Sequence, residues 1–191
     1  MFIFVAGLVV FLGMHSISIV APAWRDAQVN RLGEGPWKGL YSVISIASFI
    51  AMIYGYGMAR AQPVALYMPP MGLKHLTFLL MLPVFPFLIA AYFPGRVRRL
   101  VRHPMLWALI LWSASHLLCN GTLNDVLVFG GFLLWAVADL ISVSSRTKVR
   151  AVRGAPASAA NDAIVIVVGL ALYALMLFWA HAHLIGVSPL A

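Results

Sequence analysis

The chain is poor in charged residues, and above all in negatively charged ones. Only 9% of its 191 residues are charged and five are Asp or Glu, whereas 63% are hydrophobic. Soluble domains carry about 25% charged residues, so a water-soluble fold would lack the polar groups needed to cover its surface. The single cysteine, Cys119, excludes an intramolecular disulfide. The composition therefore predicts a membrane protein with little soluble structure.

Long apolar segments account for nearly the whole sequence. A helix that crosses a bilayer needs about 20 apolar residues. The segments that meet or approach this length are Phe2–Trp24, Leu40–Met58, Leu73–Phe93, Met105–Cys119, Leu123–Val143 and Ala163–Ile185. We therefore predict an all-α fold, a polytopic membrane bundle of about six transmembrane helices that forms one domain over residues 1–191. Pro83 and Pro86 predict a kink in the third segment.

The net charge of +8 follows a topological pattern. Eleven of the thirteen Lys and Arg residues lie in the loops after the first, third and fifth segments: Arg25, Arg31, Lys38, Arg96, Arg98, Arg99, Arg102, Arg146, Lys148, Arg150 and Arg153. The positive-inside rule places these loops in the cytoplasm and both termini in the periplasm. The first segment lacks the basic n-region of a signal peptide, so we expect it to be retained. This distribution favours membrane lipid, and not nucleic acid, as the partner.

Histidine is frequent for such a chain, with six residues against five carboxylates. His15 lies well inside the first segment and His116 inside the fourth. Ionisable groups in the membrane interior are functional candidates, and imidazole binds haem iron and metals such as zinc. Each histidine could instead form a hydrogen bond across a helix interface. Helical geometry separates the two Cα atoms by roughly 13 Å, which suits two imidazoles on opposite faces of one haem better than a shared zinc ion.

Three further histidines lie near the predicted periplasmic surface. His75 begins the third segment, and His181 and His183 end the sixth. Their expected role is interfacial, and they are the fallback ligands if His15 is too deep in the membrane.

The fourth and fifth segments are joined by a turn signal that begins at Asn120 and continues through Gly121 and Thr122. Counting equal distances from this turn predicts that His103 and Asp139 lie level at the cytoplasmic end. We expect Asp139 to pair there with His103 or Arg102, more as a structural ion pair than as a proton-transfer pair.

The same count places Asp125 nearly level with His116. Its carboxylate could therefore fix the tautomer of that imidazole as an acceptor behind the ligand. Capping of the fifth helix is the favoured alternative, because Asp is a preferred residue at helix N-termini.

The spacing of several short motifs resembles that of the NnrU family over essentially the whole chain. The motifs are Arg-His-Pro at 102–104, His-x-x-x-Asn-Gly at 116–121, Phe-Gly-Gly-Phe at 129–132 and Gly-Met-His-Ser at 13–16. The resemblance implies a multi-pass protein of the bacterial inner membrane, linked to nitrite and nitric oxide respiration (denitrification). The family is similar to the 15-cis-zeta-carotene isomerases, membrane proteins that use haem b.

Carried over to this chain, the haem-ligating histidines of those isomerases fall on His15 and His116. The resemblance therefore implies haem b as cofactor. It also implies a redox isomerase whose substrate is an apolar polyene such as zeta-carotene. The cysteine that accompanies ligand change in the isomerases falls on Ser113, whereas Cys119 lies elsewhere; this difference sets the chain apart from them.

Two other functions stay open. The first is a non-catalytic accessory, assembly or sensing subunit that works with a respiratory redox partner. The second is a membrane methyltransferase, because Arg-His-Pro before an apolar helix also resembles those enzymes. That alternative is weaker, since the acidic and aromatic cofactor-binding residues expected after the motif are missing from the sequence.

Overall fold

The computed structural model describes residues 1–146 and 154–190. In this part of the chain the elements are α1 (Phe2–Val20), α2 (Pro22–Leu32), α3 (Glu34–Ala59), α4 (Leu73–Met81), α5 (Val84–Ala90), α6 (Arg96–Val101), α7 (Pro104–Leu117), α8 (Leu123–Ser145), α9 (Asn161–Leu175), a π-helical turn (Met176–Ala180) and α10 (His181–Ile185). The predicted all-helical fold is confirmed for these residues. Of the predicted basic loop residues, Lys148, Arg150 and Arg153 lie outside them.

Among the described residues, five stretches of helix are long and apolar enough to cross a membrane: Phe2–Val20, Glu34–Ala59, Leu73–Ala90, Leu123–Ser145 and Asn161–Ile185. The apolar helix α7 has 14 residues, about 21 Å at 1.5 Å per residue. That length falls short of the roughly 30 Å hydrocarbon core. The prediction of a sixth span is therefore not confirmed, and the orientation of the termini stays a prediction.

Prolines explain where several helices differ from the predicted segments. Helix α1 ends at Val20 and not at Trp24, because Pro22 starts a new helix at its first position. The residue before a proline avoids the helical region, and Ala21 accordingly has φ −139° and ψ 54°. Pro83 lies between α4 and α5, because its ring nitrogen cannot continue the hydrogen-bond ladder. The predicted kink of the third segment is thus a break at Pro83.

The structure divides into two compact units. The first comprises Met1–Pro69 and Asn120–Ser145, and therefore α1, α2, α3 and α8. The second comprises Pro70–Cys119 and Arg146–Ala191, with α4 to α7, α9, the π-helical turn and α10. Neither unit is continuous in sequence.

In the first unit, α1 packs closely against α3 through two glycines. A Cβ atom on Gly7 would overlap the backbone of Met52, and one on Gly55 would overlap the backbone of Phe4. Residue numbers increase along α1 while those of their partners on α3 decrease, so the two helices are antiparallel. Small residues permit this approach, and the small, buried Ser48 of α3 also lies at the contact.

In the second unit, α5 contacts both α7 and α9. Gly169 of α9 lies directly against Pro86 of α5, where an added Cβ would come within 2.6 Å of the proline Cα atom. The Thr77 hydroxyl of α4 donates to the Ser115 carbonyl of α7 at 3.1 Å. The Tyr173 hydroxyl of α9 donates to the Phe78 carbonyl at 3.1 Å. These contacts join the helices of the unit through small residues and single polar groups.

Candidate functional site

His15 lies on α1, in the first unit, with one ring nitrogen held by its own helix. The Nδ1 atom is 2.7 Å from the Phe11 carbonyl oxygen one turn earlier. A carbonyl can only accept a hydrogen bond, so Nδ1 carries the proton. The lone pair is then on Nε2, which is the tautomer that binds a metal or haem iron.

Aromatic rings from three helices surround the His15 imidazole. The ring centroids lie 4.2 Å from Phe11 of α1, 5.3 Å from Tyr41 of α3 and 5.9 Å from Trp135 of α8. Asp139, which was predicted to form a structural ion pair, lies one turn beyond Trp135 on α8. His15 therefore lies in an aromatic setting with polar groups at its edge, and not on a plain aliphatic helix face.

The Trp135 indole carries an unsatisfied donor. Its Nε1 atom is buried and has no hydrogen-bond partner within residues 1–146 and 154–190. Buried donors are nearly always paired in folded proteins, and an orphaned one calls for an explanation. The Trp135 ring is nearly perpendicular to the His15 ring, with the two centroids 5.9 Å apart.

His116 repeats the same local arrangement on α7, in the second unit. Its Nδ1 atom is 2.8 Å from the Trp112 carbonyl oxygen, and its ring lies 5.1 Å from the Trp112 ring. The neighbouring Ser113 and Ser115 are fully buried, and their hydroxyl groups have no partner among the described residues. Both predicted haem ligands are thus oriented by the carbonyl of an aromatic residue four positions earlier.

A third histidine shares this geometry. The Nδ1 atom of His183 is 2.8 Å from the Trp179 carbonyl oxygen, and the two rings stack at 4.5 Å. Trp179 belongs to the π-helical turn, a feature frequent at functional sites. His183 is exposed, unlike His15 and His116. An aromatic residue four positions before a histidine is the sequence signal that could have identified the three together.

The other histidines are oriented differently. The Nδ1 atom of His181 is 2.6 Å from the Val187 carbonyl oxygen, and His75 is exposed. His103 takes the N-cap position of α7. In the described part of the chain, no group of three or more His, Cys, Asp or Glu side chains could hold a metal ion.

Each predicted pair takes one residue from each unit. His15 and Asp139 belong to the first unit, whereas His116 and His103 belong to the second. The pairing of His15 with His116 around one haem therefore stays a prediction. The same holds for His103 with Asp139 and for Asp125 as an acceptor behind His116.

Asp125 is the centre of a buried polar cluster at the start of α8. Its carboxylate accepts from the Tyr56 hydroxyl at 2.5 Å, and from the Thr122 hydroxyl at 2.5 Å and backbone N–H at 3.3 Å. Thr122 precedes the first residue of α8, so the bond to its N–H is the returning half of a capping box. Asp125 is 7% exposed and has the capping role that the sequence favoured. The bond from Tyr56, which ties α3 to α8, carried no sequence signal.

The predicted turn at Asn120 lies between α7 and α8, as expected. Its backbone is held by the segment that contains Leu66 and Tyr67, for which the sequence carries no signal. The Gly121 carbonyl accepts from the Leu66 N–H at 2.8 Å, and the Asn120 carbonyl accepts from the Tyr67 hydroxyl at 2.8 Å. A Cβ atom on Gly121 would overlap the Tyr67 carbonyl, which explains the glycine.

The Arg-His-Pro motif contains a rare backbone conformation. Arg102 has φ 60° and ψ −54°, and the His103 N–H donates to the Val101 carbonyl at 2.7 Å. These values describe a γ-turn of the rare, strained type. Arg102 is the only residue other than glycine with positive φ among those described. The turn lets Pro104 start α7 directly after the end of α6.

The apolar helices define an all-helical membrane protein. Its candidate ligands are the histidines whose Nδ1 atoms are held by a carbonyl of their own helix. The family model for the NnrU protein matches residues 3–189. The chain therefore belongs to the NnrU family, as the spacing of its motifs predicted. Neither the curated proteins nor the solved structures contain a significant match to it.

Proposed function

We propose that this chain is a haem b-binding integral membrane protein in which His15 and His116 would hold the haem. The observation that carries the proposal is their shared orientation. Each Nδ1 donates to the carbonyl of an aromatic residue four positions earlier. Such a bond fixes the ring and raises the basicity of the other nitrogen. Membership of the NnrU family, whose relation to the haem-dependent isomerases the motifs suggested, supports the same cofactor.

The side chains around His15 suit a large aromatic cofactor better than a small ion. Phe11 and Tyr41 present aromatic surfaces near the imidazole, and the unpaired Trp135 N–H is available to a polar substituent. Bound haem b would supply one-electron redox chemistry. The chain itself would bind the group, orient the imidazoles and exclude water through its apolar helices.

The direct test is the visible spectrum and haem content of the detergent-purified protein, oxidised and then reduced with dithionite. We expect a Soret band, and α and β bands that sharpen on reduction, as low-spin haem gives. The variants His15→Ala and His116→Ala should each lose most of the haem. His183→Ala is the matched control, because His183 has the same helical hydrogen bond and aromatic neighbour but is exposed.

Loss of haem through misfolding must be distinguished from loss of a ligand. The alanine variants should elute as monodisperse protein, and added imidazole should restore part of the Soret band in His116→Ala. Full haem retention in both His15→Ala and His116→Ala would refute the assignment. Equal loss in His183→Ala would show that the effect is not specific to the two proposed ligands.

For the role of the haem, we propose redox work in the bacterial inner membrane in connection with nitrite and nitric oxide respiration. Isomerisation of an apolar polyene such as zeta-carotene is one form of this role. An accessory or assembly subunit for denitrification enzymes is the other. Ser113 favours the second, because its fully buried hydroxyl stands where the isomerases have a cysteine, and the lone Cys119 is exposed.

Expression in a carotenoid-producing host that is blocked at the 15-cis double bond separates the two roles. Restored coloured product would establish an isomerase. If product is absent while the haem spectrum is intact, the accessory role is favoured, and deletion in a denitrifying host should then lower nitrite or nitric oxide reductase activity. Substitution Ser113→Cys tests whether the missing thiol is what separates this chain from the isomerases.

A further inference from the structure

The second unit contains a basic pocket that the proposed haem site does not use. Its volume is about 1260 Å³, and its lining includes Arg96, Arg98, Arg99 and Arg102. Asp162 is the one acidic residue among the described residues that line it. Four arginine residues along one cavity make it a positively charged site, which attracts phosphate or carboxylate groups.

The single carboxylate of the pocket is already committed to the backbone. The two Asp162 oxygens accept from the N–H groups of Arg96 at 3.0 Å and Val97 at 3.1 Å. A Cβ atom on Gly95 would overlap this carboxylate, so the glycine permits the contact. Asp162 therefore holds the start of α6 in place, and an incoming anion need not displace these two bonds to reach the arginine side chains.

The neighbouring Asn161 fixes the rest of the frame. Its side chain is 3% exposed, and its Nδ2 atom donates to the carbonyls of Pro94 at 2.9 Å and Pro156 at 3.0 Å. The Gly154 and Ala155 backbone continues the contact, since the Ala155 N–H donates to the Tyr92 carbonyl at 2.8 Å. The pocket is thus built on hydrogen-bonded backbone and not on surface side chains alone.

The arginine side chains themselves are not neutralised within residues 1–146 and 154–190. The salt bridges of that part include Arg25 with Asp26 and Lys38 with Glu34, both in the first unit, and the pocket arginines take part in neither. The Asp162 carboxylate is bonded to the backbone N–H groups of Arg96 and Val97 and not to their side chains. A ligand with negative charge would supply the missing counter-charge.

The position of the pocket along the helices decides which anion fits. The candidate span Leu73–Ala90 ends, and the span Asn161–Ile185 begins, directly beside it, and α5 packs against α9. The pocket therefore lies at the end of two membrane-crossing segments, at the level of lipid headgroups. Next to the arginines, the apolar side chain of Leu100 is 87% exposed and Tyr92 is 46% exposed, as in segments that lie in the bilayer interface.

We propose that this pocket binds the phosphate headgroup of an anionic membrane phospholipid. Basic pockets beside transmembrane helices recognise such headgroups, and guanidinium groups pair with phosphate through two parallel hydrogen bonds. The exposed Leu100 would contact the acyl chains of the same leaflet. This inference does not depend on haem binding, because none of the pocket residues belongs to the proposed ligand set.

Native mass spectrometry of the full chain in detergent tests the proposal. The probes are phosphatidylglycerol, phosphatidylcholine of the same chain length, and glycerol phosphate as the soluble anion. The test variant is Arg98→Gln/Arg99→Gln. The control, Arg31→Gln/Lys38→Gln, removes the same charge from exposed positions on α2 and α3.

We expect phosphatidylglycerol to bind in preference to phosphatidylcholine. The test variant should bind phosphatidylglycerol roughly thirtyfold more weakly than the wild-type protein, because each of its two arginines contributes about fivefold. The control should weaken the affinity much less, because Arg31 and Lys38 do not line the pocket. If the double variant does not purify as a monodisperse species, Arg99→Gln alone should give the fivefold effect.

Equal weakening in the test and control variants would overturn the proposal, since net charge and not the pocket would then set affinity. Equal binding of the two phospholipids would also overturn it. Displacement of phosphatidylglycerol by glycerol phosphate at comparable concentration would show that the site takes a soluble phosphate, and would refute a lipid ligand.

Discussion

Gly55 should be among the positions least tolerant of a side chain, although it lies in a helix where alanine is usually favourable. A Cβ atom there would come within 2.6 Å of the Phe4 Cα atom, far inside the ~3.5–4.0 Å optimum for carbon contacts. Since the obstacle is the backbone of α1, no side-chain rotation relieves it. The two helices must separate, and overpacking of this kind costs about 1–3 kcal/mol.

Gly57 provides the matched control on the same helix. An added Cβ there meets nothing within 4 Å, so Gly57→Ala should be neutral or stabilise α3 by about 0.5–1 kcal/mol through backbone entropy. Gly55→Ala gains the same entropy but loses the packing. A net cost of about 2 kcal/mol corresponds to a melting temperature lower by about 4–8 °C for a chain of this size.

The assay is thermal melting of the two variants in one detergent. The quantity measured at each temperature is the fraction of protein that stays monodisperse on gel filtration. The wild-type protein and Gly57→Ala should melt within about 3 °C of each other, with Gly55→Ala clearly below both. If Gly55→Ala and Gly57→Ala melt together, α1 and α3 do not approach as closely as the structure shows, and the argument from backbone overlap fails.

Three further predictions concern the polar cluster, the γ-turn and the topology. Asp125→Asn should destabilise the protein by about 1–3 kcal/mol, because the amide group places a donor against the hydroxyls of Tyr56 and Thr122. The control is Asp26→Asn, since the Asp26 side chain is 60% exposed. Equal changes in the melting temperatures of the two variants would contradict the role of the cluster. Arg102→Gly should be more stable than Arg102→Ala by about 1 kcal/mol and should melt at a higher temperature. Both variants lose the charge, but only glycine relieves the strain of the positive φ. Equal melting temperatures would show that the turn is unstrained. Alkaline phosphatase fused after the last residue should be active if the C-terminus is periplasmic, and an inactive, stable fusion would reverse the predicted orientation.

The family and the class of fold followed from local features of the sequence. Continuous apolar segments identify membrane helices because each must satisfy its backbone internally in lipid. Pro22 and Pro83 end helices for a reason that acts within one turn. The capping role of Asp125 was also predictable, since the capping box spans only four residues. The candidate ligands His15 and His116 stood out because ionisable groups are rare in such segments.

The contacts between helices could not be predicted from the sequence, because they depend on which helices pack against each other. The approach of α1 to α3 at Gly7 and Gly55 involves residues about fifty positions apart, and the chain holds many other glycines that meet nothing. The same is true of the bond from Tyr56 to Asp125, which the spacing along α8 does not suggest.

The sequence by itself determined the helical membrane class and the family, and it singled out His15 and His116 as candidates, because composition and short motifs are read from neighbouring residues. Only the tertiary structure placed Tyr41 and Trp135 around His15 and joined the arginines of α6 to Asp162 of α9 in one pocket. Those groupings depend on helix packing, in which backbone contact and burial bring together residues that are distant in the chain.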